Sequence, residues 1–168
     1  MSTTRKRLTT LSLAVCGLAA FAAPASAEER SCRGSIGAVT VDNLRVPAGA
    51  TCTLTRTYVK GTVKVARSAT LRAYAVRVVG NVQGEGHRSI TVSEGSRVNG
   101  SLQAKQGGGA VVKDSIFGSD VQFFTNAGTI RILRNRINGN LQCKSNRPAP
   151  TGGGNVVQGN REDQCRNL

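Results

Sequence analysis

A short motif built around a glycine recurs five times in this chain at an almost constant interval. Each copy places the glycine between two apolar residues, and four of the five use the same frame. The fourth copy along the chain carries one extra residue after its glycine. The copies span residues 59–64, 78–83, 98–103, 116–122 and 137–142, and their glycines lie 19, 20, 18 and 21 residues apart. A repeat of this length indicates stacked copies of one supersecondary unit.

Within each repeat the apolar residues alternate with polar ones, which is the period of a β-strand. Val59, Val63 and Val65 alternate with Lys60 and Lys64. A second short apolar run follows each motif, at residues 69–71, 89–92, 110–112 and 129–132. Each coil should therefore contain at least two strands and no helix. By the alternation the glycine takes an inward position, where it would relieve crowding or allow a bend at a coil corner.

Stacked coils of this kind predict an all-β solenoid with coils about 4.8 Å apart. The leucine-rich repeat frame is absent, and the uneven coil length does not fit the strict hexapeptide period of left-handed β-helices. We therefore expect a right-handed parallel β-helix of about five to six coils with disulfide-closed ends. A β-sandwich is the alternative, because the same short strands could pair antiparallel.

The first 27 residues have the features of a secretory signal peptide. Basic residues at 5–7 precede an apolar run at 8–23, and Ala25-Ser26-Ala27 matches a signal-peptidase site. Cys16 also suggests a lipoprotein, but the bulky Val15 before it does not suit that processing. The mature chain should thus be residues 28–168, secreted and without a transmembrane segment.

Four cysteines remain in the mature chain, and an even number in an exported protein indicates disulfides. Three pairings are open from sequence alone. Cys32–Cys52 and Cys143–Cys165 are favoured, because two cysteines precede the repeats and two lie at or beyond the last one. We therefore divide the mature chain into an N-terminal cap (28–52), the repeats (53–143) and a C-terminal cap (144–168).

The mature chain is strongly basic. Three of the 23 basic residues and none of the nine acidic ones lie in the signal peptide, which leaves a net charge of about +11 for residues 28–168. Such a charge favours polyanionic partners, although it also keeps a secreted protein soluble.

Stacking the motifs aligns equivalent residues into columns, and two columns stand out. One contains Lys64, Gln83, Gln103, Gln122 and Gln142, which suits either an amide ladder or a flat polar face for a polysaccharide. The other contains Tyr58, Arg77, Arg97, Ser115 and Arg136, and arginine forks suit phosphate and carboxylate oxygens. The candidate ligand-binding residues are Arg72, Arg77, Arg97, Arg131, Arg136, Lys60 and Lys64.

Catalytic chemistry has little support in this sequence. The repeats contain only four acids, Glu85, Glu94, Asp114 and Asp120, and no spacing brings two of them together as a glycosidase pair would need. His87, the only histidine, lies in the loop-like segment 84–87. Since no G-x-S-x-G motif or histidine pair is present either, we expect no catalytic residues, no metal site and no cofactor.

The glycine repeat, the paired terminal cysteines and the ending at residues 139–143 and 155–165 resemble small secreted actinobacterial β-helix proteins. This resemblance covers nearly all of the mature chain and implies the fold and export, but it brings no established chemistry. The repeats also resemble, more distantly, those of bactofilins, which polymerise end to end. The signal peptide and the cysteines differ from that cytosolic family.

Taken together, the sequence predicts a non-catalytic secreted protein that binds an anionic cell-wall polymer or acidic polysaccharide at or near the cell wall. A self-assembling surface protein is the second hypothesis, because outward apolar residues such as Val79, Phe117 and Phe124 could contact copies of the same protein. A polysaccharide-acting enzyme is the third. Nucleic acid would suit the arginines chemically, but we do not expect it as the partner of an exported protein. The sequence gives no oligomeric state.

Overall fold

A computed structural model describes residues 28–168 of the chain, and these residues form 22 short β-strands and no helix. The predicted signal peptide and Cys16 lie outside the described residues. The all-β prediction is confirmed.

The strands form three sheets, and each coil contributes one strand to each sheet. Sheet I contains β1 (Glu29–Ser31), β4 (Asn43–Val46), β7 (Val63–Val65), β10 (Val82–Glu85), β13 (Leu102–Lys105), β16 (Val121–Phe124), β19 (Leu141–Lys144) and β22 (Arg161–Asp163). Sheet II contains β2 (Gly34–Ile36), β5 (Thr51–Thr55), β8 (Thr70–Tyr74), β11 (Ser89–Ser93), β14 (Gly109–Lys113), β17 (Ile130–Leu133) and β20 (Thr151–Gly153). Sheet III contains β3 (Thr40–Val41), β6 (Tyr58–Val59), β9 (Arg77–Val78), β12 (Arg97–Val98), β15 (Ile116–Phe117), β18 (Arg136–Ile137) and β21 (Val156–Val157).

Every pairing is parallel and joins equivalent strands of successive coils, so the molecule is a parallel β-solenoid and not a sandwich. It has about seven coils, whereas counting glycine motifs predicted five to six. The difference arises at the ends. The first coil turns through Asp42 and Asn43 without a glycine, and the segment expected to be an N-terminal cap already supplies strands to all three sheets.

The core is a stack of inward-facing side chains from all three sheets. In sheet I, Val63, Val82 and Leu102 pair in register and are buried. The next residue of each of these strands faces outward. In sheets II and III, Leu71 and Val78 hold equivalent buried positions. This alternation is the period of two read from the sequence, and β-branched residues suit it because they pack well on a pleated surface.

The glycines of the motif lie at the corner between sheets III and I, where successive coils approach very closely. A Cβ atom on Gly80 would lie 2.7 Å from the carbonyl oxygen of Gly61 in the preceding coil. The residue after each glycine then links the coils. The Thr62 N–H donates to Asn43 Oδ1 at 2.9 Å, and the Ser101 N–H donates to Asn81 Oδ1 at 2.8 Å. The glycine therefore allows close stacking at a bend.

The fourth copy of the motif has no inserted residue. Val98 pairs with Phe117 and Leu102 pairs with Val121, so the two copies have equal length. Ser119 takes the place of the glycine, and Gly118 lies one position earlier. As a consequence Phe117 is fully buried, and the prediction that it faces outward with Val79 and Phe124 is wrong. Val79 is 39% exposed, as expected.

Buried asparagines link the coils at the other two corners in the C-terminal half. At the corner between sheets II and III, Asn135 Nδ2 donates to the Val112 carbonyl at 2.9 Å and to Asn155 Oδ1 at 3.0 Å. Its Oδ1 accepts the Ser115 N–H at 3.1 Å. Asn126 and Asn146 form the corresponding ladder between sheets I and II. These side chains satisfy buried backbone groups where the strand ladders are interrupted.

Disulfides close both ends of the solenoid, as predicted. Cys32 is joined to Cys52 with a Cα–Cα distance of 5.6 Å, and Cys143 is joined to Cys165 with a distance of 5.3 Å. All four cysteines are buried. Val157 and Leu168 pack against the core at the C-terminal end, which shields the last coil.

Candidate functional site

The predicted arginine column exists on the outer face of sheet III, with one difference. Arg77 and Arg97 are direct neighbours in the parallel ladder, so their backbones are about 4.8 Å apart. Ile116, rather than the predicted Ser115, separates Arg97 from Arg136. Ser115 is instead buried at the corner, which follows from the missing insertion in the fourth motif. The three arginines of this column are exposed.

Tyr58 precedes Arg77 in the same column and supports it. The guanidinium carbon of Arg77 lies 5.9 Å from the centre of the Tyr58 ring, which is within cation–π range. Such a contact limits the rotamers of Arg77 without neutralising its charge. Arg77 therefore presents its hydrogen-bond donors from a partly fixed position.

Arg72 and Arg131 share a column on sheet II but are not adjacent. Thr91 and Val111 lie between them, so they are three coils apart. The structure thus divides the predicted arginines between two sheets, and each group forms its own line along the solenoid.

The two predicted lysines lie elsewhere and are engaged in ion pairs. Lys60 Nζ lies 3.1 Å from Asp42 at the corner between sheets III and I. Lys64 Nζ lies 3.4 Å from Glu29 on the outer face of sheet I. The seven predicted residues consequently do not form a single site.

Most of the positive charge in residues 28–168 has no carboxylate partner. Only four of the 20 basic residues in this range form an ion pair within 4 Å, namely Arg45, Lys60, Lys64 and Arg134. In the best-formed pair, Arg134 donates two hydrogen bonds to Asp114, at 2.7 and 2.9 Å. These hydrogen bonds hold the pKa of Asp114 below its ordinary value. The other 16 basic residues in this range form no ion pair.

A depression of about 620 Å³ on the outer face of sheet I is lined by four cations, two of them without a carboxylate partner, and sequence reasoning missed it. Its edges carry Arg45, Lys64, Arg67 and Lys105, whereas Glu85 is the one acidic residue that lines it. A signal was present in the sequence, since Arg45 precedes Lys64 by one repeat. It was overlooked because the repeats were taken to begin after Arg45.

The glutamine column crosses this depression, and the hydrogen bonds of its side chains differ between the N-terminal and the C-terminal coils. Gln122 donates to Gln142 at 2.6 Å, and Gln142 donates to Glu162 at 2.9 Å, so an amide ladder forms in the C-terminal coils. Gln83 and Gln103 pair in backbone register within the depression, but among the described residues their side chains make no hydrogen bond. Their amides remain available to a ligand.

His87 is a core residue and not part of an exposed loop. It is 2% exposed, and its ring lies beside Gly84 and Gly107, whose missing side chains leave room for it. Neither ring nitrogen has a hydrogen-bond partner among the described residues. Burial lowers the pKa of His87, and the nearby backbone of Gly84 and Gly109 opposes this shift only in part. A neutral imidazole enclosed in this way is unsuited to acid–base catalysis on an external substrate.

Three acids of the repeats lie at corners, and Glu85 is the last residue of β10. Asp114 and Asp120 lie at opposite ends of β15, and Asp114 is held by Arg134. Glu94 lies at the same corner as Asp114, in the preceding coil. In residues 28–168 no group of three or more histidine, cysteine, aspartate and glutamate side chains could hold a metal ion. Within the same range, no helix has the length and apolar character that a membrane crossing requires.

Comparison of the chain with protein-family models, with curated proteins and with solved structures finds no match. The resemblance to secreted β-helix proteins and to bactofilins therefore depends on the repeat and cysteine patterns alone. The chain is a disulfide-closed parallel β-solenoid of about seven coils.

Proposed function

We propose that this protein is a secreted, non-catalytic module that binds an anionic polymer of the cell envelope at or near the cell wall. The observation that carries the proposal is the line of exposed arginines on sheet III, in which Arg77 and Arg97 are adjacent and Arg136 follows two coils later. A polymer running along the solenoid axis would meet two adjacent cations and a third one two coils later, and each guanidinium can donate hydrogen bonds to two oxygens of a phosphate or carboxylate.

The charge distribution supports a polymer rather than a compact substrate. The predicted arginines lie in lines along the solenoid, on sheet III and on sheet II. Among the acids of the repeats, Glu94 and Asp114 share a corner in adjacent coils, but both oxygens of Asp114 accept hydrogen bonds from Arg134. Export and an oxidising compartment agree with two buried disulfides. Kinship with the secreted actinobacterial β-helix proteins remains part of this proposal.

The test is co-sedimentation of the protein with purified bacterial cell walls, with and without their teichoic acids, at low and high salt. We expect binding that requires the anionic polymer and weakens with salt, because screening reduces the attraction between exposed charges. The variant Arg77→Gln/Arg97→Gln/Arg136→Gln should bind more weakly and with a flatter salt dependence.

A control variant must lose the same charge at other places. Arg33, Arg88 and Arg166 suit this purpose, because they are exposed and their side chains form no ion pair or hydrogen bond within residues 28–168. Substituting these three with glutamine should weaken binding much less than the sheet III variant. Equal losses in both variants would contradict the role of the column. Absence of wall binding at either salt concentration would refute the proposal and direct attention to self-association.

A further inference from the structure

We infer that the depression on sheet I is a second binding site, which takes one carboxylate- or phosphate-bearing saccharide or polyol unit. This site rests on the proposed function for its ligand class, but it uses different residues on a different sheet. Four cations, Arg45, Lys64, Arg67 and Lys105, line this cavity of about 620 Å³. This volume lies within the range of small-molecule sites.

The floor of the depression provides hydrogen-bonding groups that the solenoid does not use. Gln83 and Gln103 belong to the same column as Gln122 and Gln142, yet only the latter two are tied into the amide ladder. A primary amide has two donors and an acceptor, which suits the hydroxyl groups of a sugar or polyol.

Glu29 shows that two cations of this site can bind a carboxylate. Its two oxygens lie 3.4 Å from Lys64 Nζ and 3.9 Å from Arg45 Nη1. Glu29 is on β1, the first strand of the solenoid, and its side chain is 36% exposed. It therefore acts as an internal substitute for a ligand anion and competes with it at the N-terminal edge of the depression.

The cations at the other edge are available without displacing a carboxylate. Arg67 forms no ion pair in residues 28–168, and its aliphatic stem lies beside Gly86. Lys105 likewise has no carboxylate partner there, and its ammonium lies 5.7 Å from the centre of the Phe124 ring. Glu85, which lines the same depression, can accept hydrogen bonds from hydroxyl groups and would repel an anionic group placed beside it. A unit carrying both an anion and hydroxyl groups fits this combination.

The experiment is titration of the protein with three short probes, namely trigalacturonate, tri(glycerol phosphate) and neutral maltotriose, monitored by calorimetry and by the NMR signals of the glutamine side-chain amides. We expect at least one of the two anionic probes to bind, with shifts at Gln83 and Gln103 and none at Gln122, and maltotriose not to bind. The probe that binds more tightly distinguishes a carboxylate from a phosphate.

Two variants test the site directly. Arg67→Gln/Lys105→Gln should lower the affinity at least tenfold, whereas Glu29→Gln should raise it two- to fivefold because a competing carboxylate is removed. Arg88→Gln/Arg166→Gln, which removes the same charge elsewhere, should leave the affinity within twofold. Absence of binding by both anionic probes, equal binding of maltotriose, or equal losses in the two double variants would overturn the inference.

Failure of this site and failure of the proposed function give different results. The sheet III variant should bind the short probes normally while losing wall binding. If wall binding fails and the probes still shift Gln83 and Gln103, the depression is a site and the arginine column is not.

Discussion

The imidazole of His87 occupies the space that the missing side chain of Gly107 leaves in the next coil. Gly84 leaves room for the same ring within its own coil. Two consecutive coils thus share one buried aromatic ring, whereas Val65 and Phe123 fill the column of Gly84 with their own side chains in other coils.

Gly107→Ala should lower the free energy of unfolding by about 1–3 kcal/mol, because the new Cβ atom would overlap the ring of His87. Urea denaturation measures the loss. Gly37→Ala is the matched control, since a Cβ atom there meets nothing within 4 Å, and its effect should stay within about 0.5 kcal/mol. The double variant His87→Ala/Gly107→Ala should lose less than the sum of its single variants. Strict additivity would show that the two residues do not interact.

The free energy of unfolding should fall as the pH drops below about 6.5, the ordinary pKa of histidine. Burial lowers the pKa of His87, so in this range the unfolded chain binds a proton that the folded chain does not. The stabilisation is complete above 6.5 and is lost progressively towards the lowered folded-state pKa. Chemical denaturation at pH 5 to 8 measures this slope.

His87→Leu should abolish that slope, since the chain contains no other histidine. The lowered pKa of Asp114 acts in a separate range, because its hydrogen bonds to Arg134 are lost only below its ordinary value of 3.8. A slope between pH 5 and 7 that persists in His87→Leu would show that another group is responsible.

Asn135→Ala should lower the free energy of unfolding by about 2–4 kcal/mol, because it leaves the buried Ser115 N–H and Val112 carbonyl without their partner. Gln158→Ala removes an exposed amide of similar size and should have little effect. Thermal unfolding of the two variants gives the comparison. Equal stability of both would mean that the ladder contributes nothing.

Replacing Cys143 and Cys165 with serine should lower the free energy of unfolding by about 3 kcal/mol, since the disulfide closes a loop with a sequence separation of 22. Hydrogen exchange should quicken first in β20 to β22, which have only one neighbouring coil. The corresponding change at Cys32 and Cys52 should affect β1 to β3 instead. Uniform acceleration along the whole solenoid would contradict local closure of the ends.

The parts of the fold that were predictable follow from alternation and spacing. The period of two around Val59 and Val63 places strands, and the interval near 20 residues stacks them in parallel. The third strand of each coil was harder to recognise, because the strands of sheet III contain only two residues each.

One local substitution explains most of the errors in the candidate site. Aligning the copies on glycine assumed that Gly118 is equivalent to Gly100, but Ser119 holds that place. The corner needs a small residue for close approach and not a left-handed backbone, so serine is accepted there. The shift by one residue turned buried Phe117 outward in the prediction and placed Ser115 where Ile116 lies.

The sheet I depression could not be derived from spacing alone. It depends on Arg67 and Lys105, which come from different positions of their repeats and approach each other only across the corner between sheets I and II. His87 lies between β10 and β11, as its loop-like segment predicted, but the burial of its side chain could not be derived from spacing either. Its neighbours Gly84 and Gly86 indicate a loop, whereas the absence of side chains at Gly84 and Gly107 creates an interior space for its ring.

Since both ends are closed by disulfides and hydrogen bonds link adjacent coils at the corners, this architecture is expected to change its length by insertion of internal coils. Duplication of one segment of about 20 residues inserts a coil whose corners match the coils on either side. Each insertion extends the outer faces by about 4.8 Å. The length over which such a protein can contact a polymer is therefore expected to change in evolution by whole coils, while the disulfide-closed end coils stay the same.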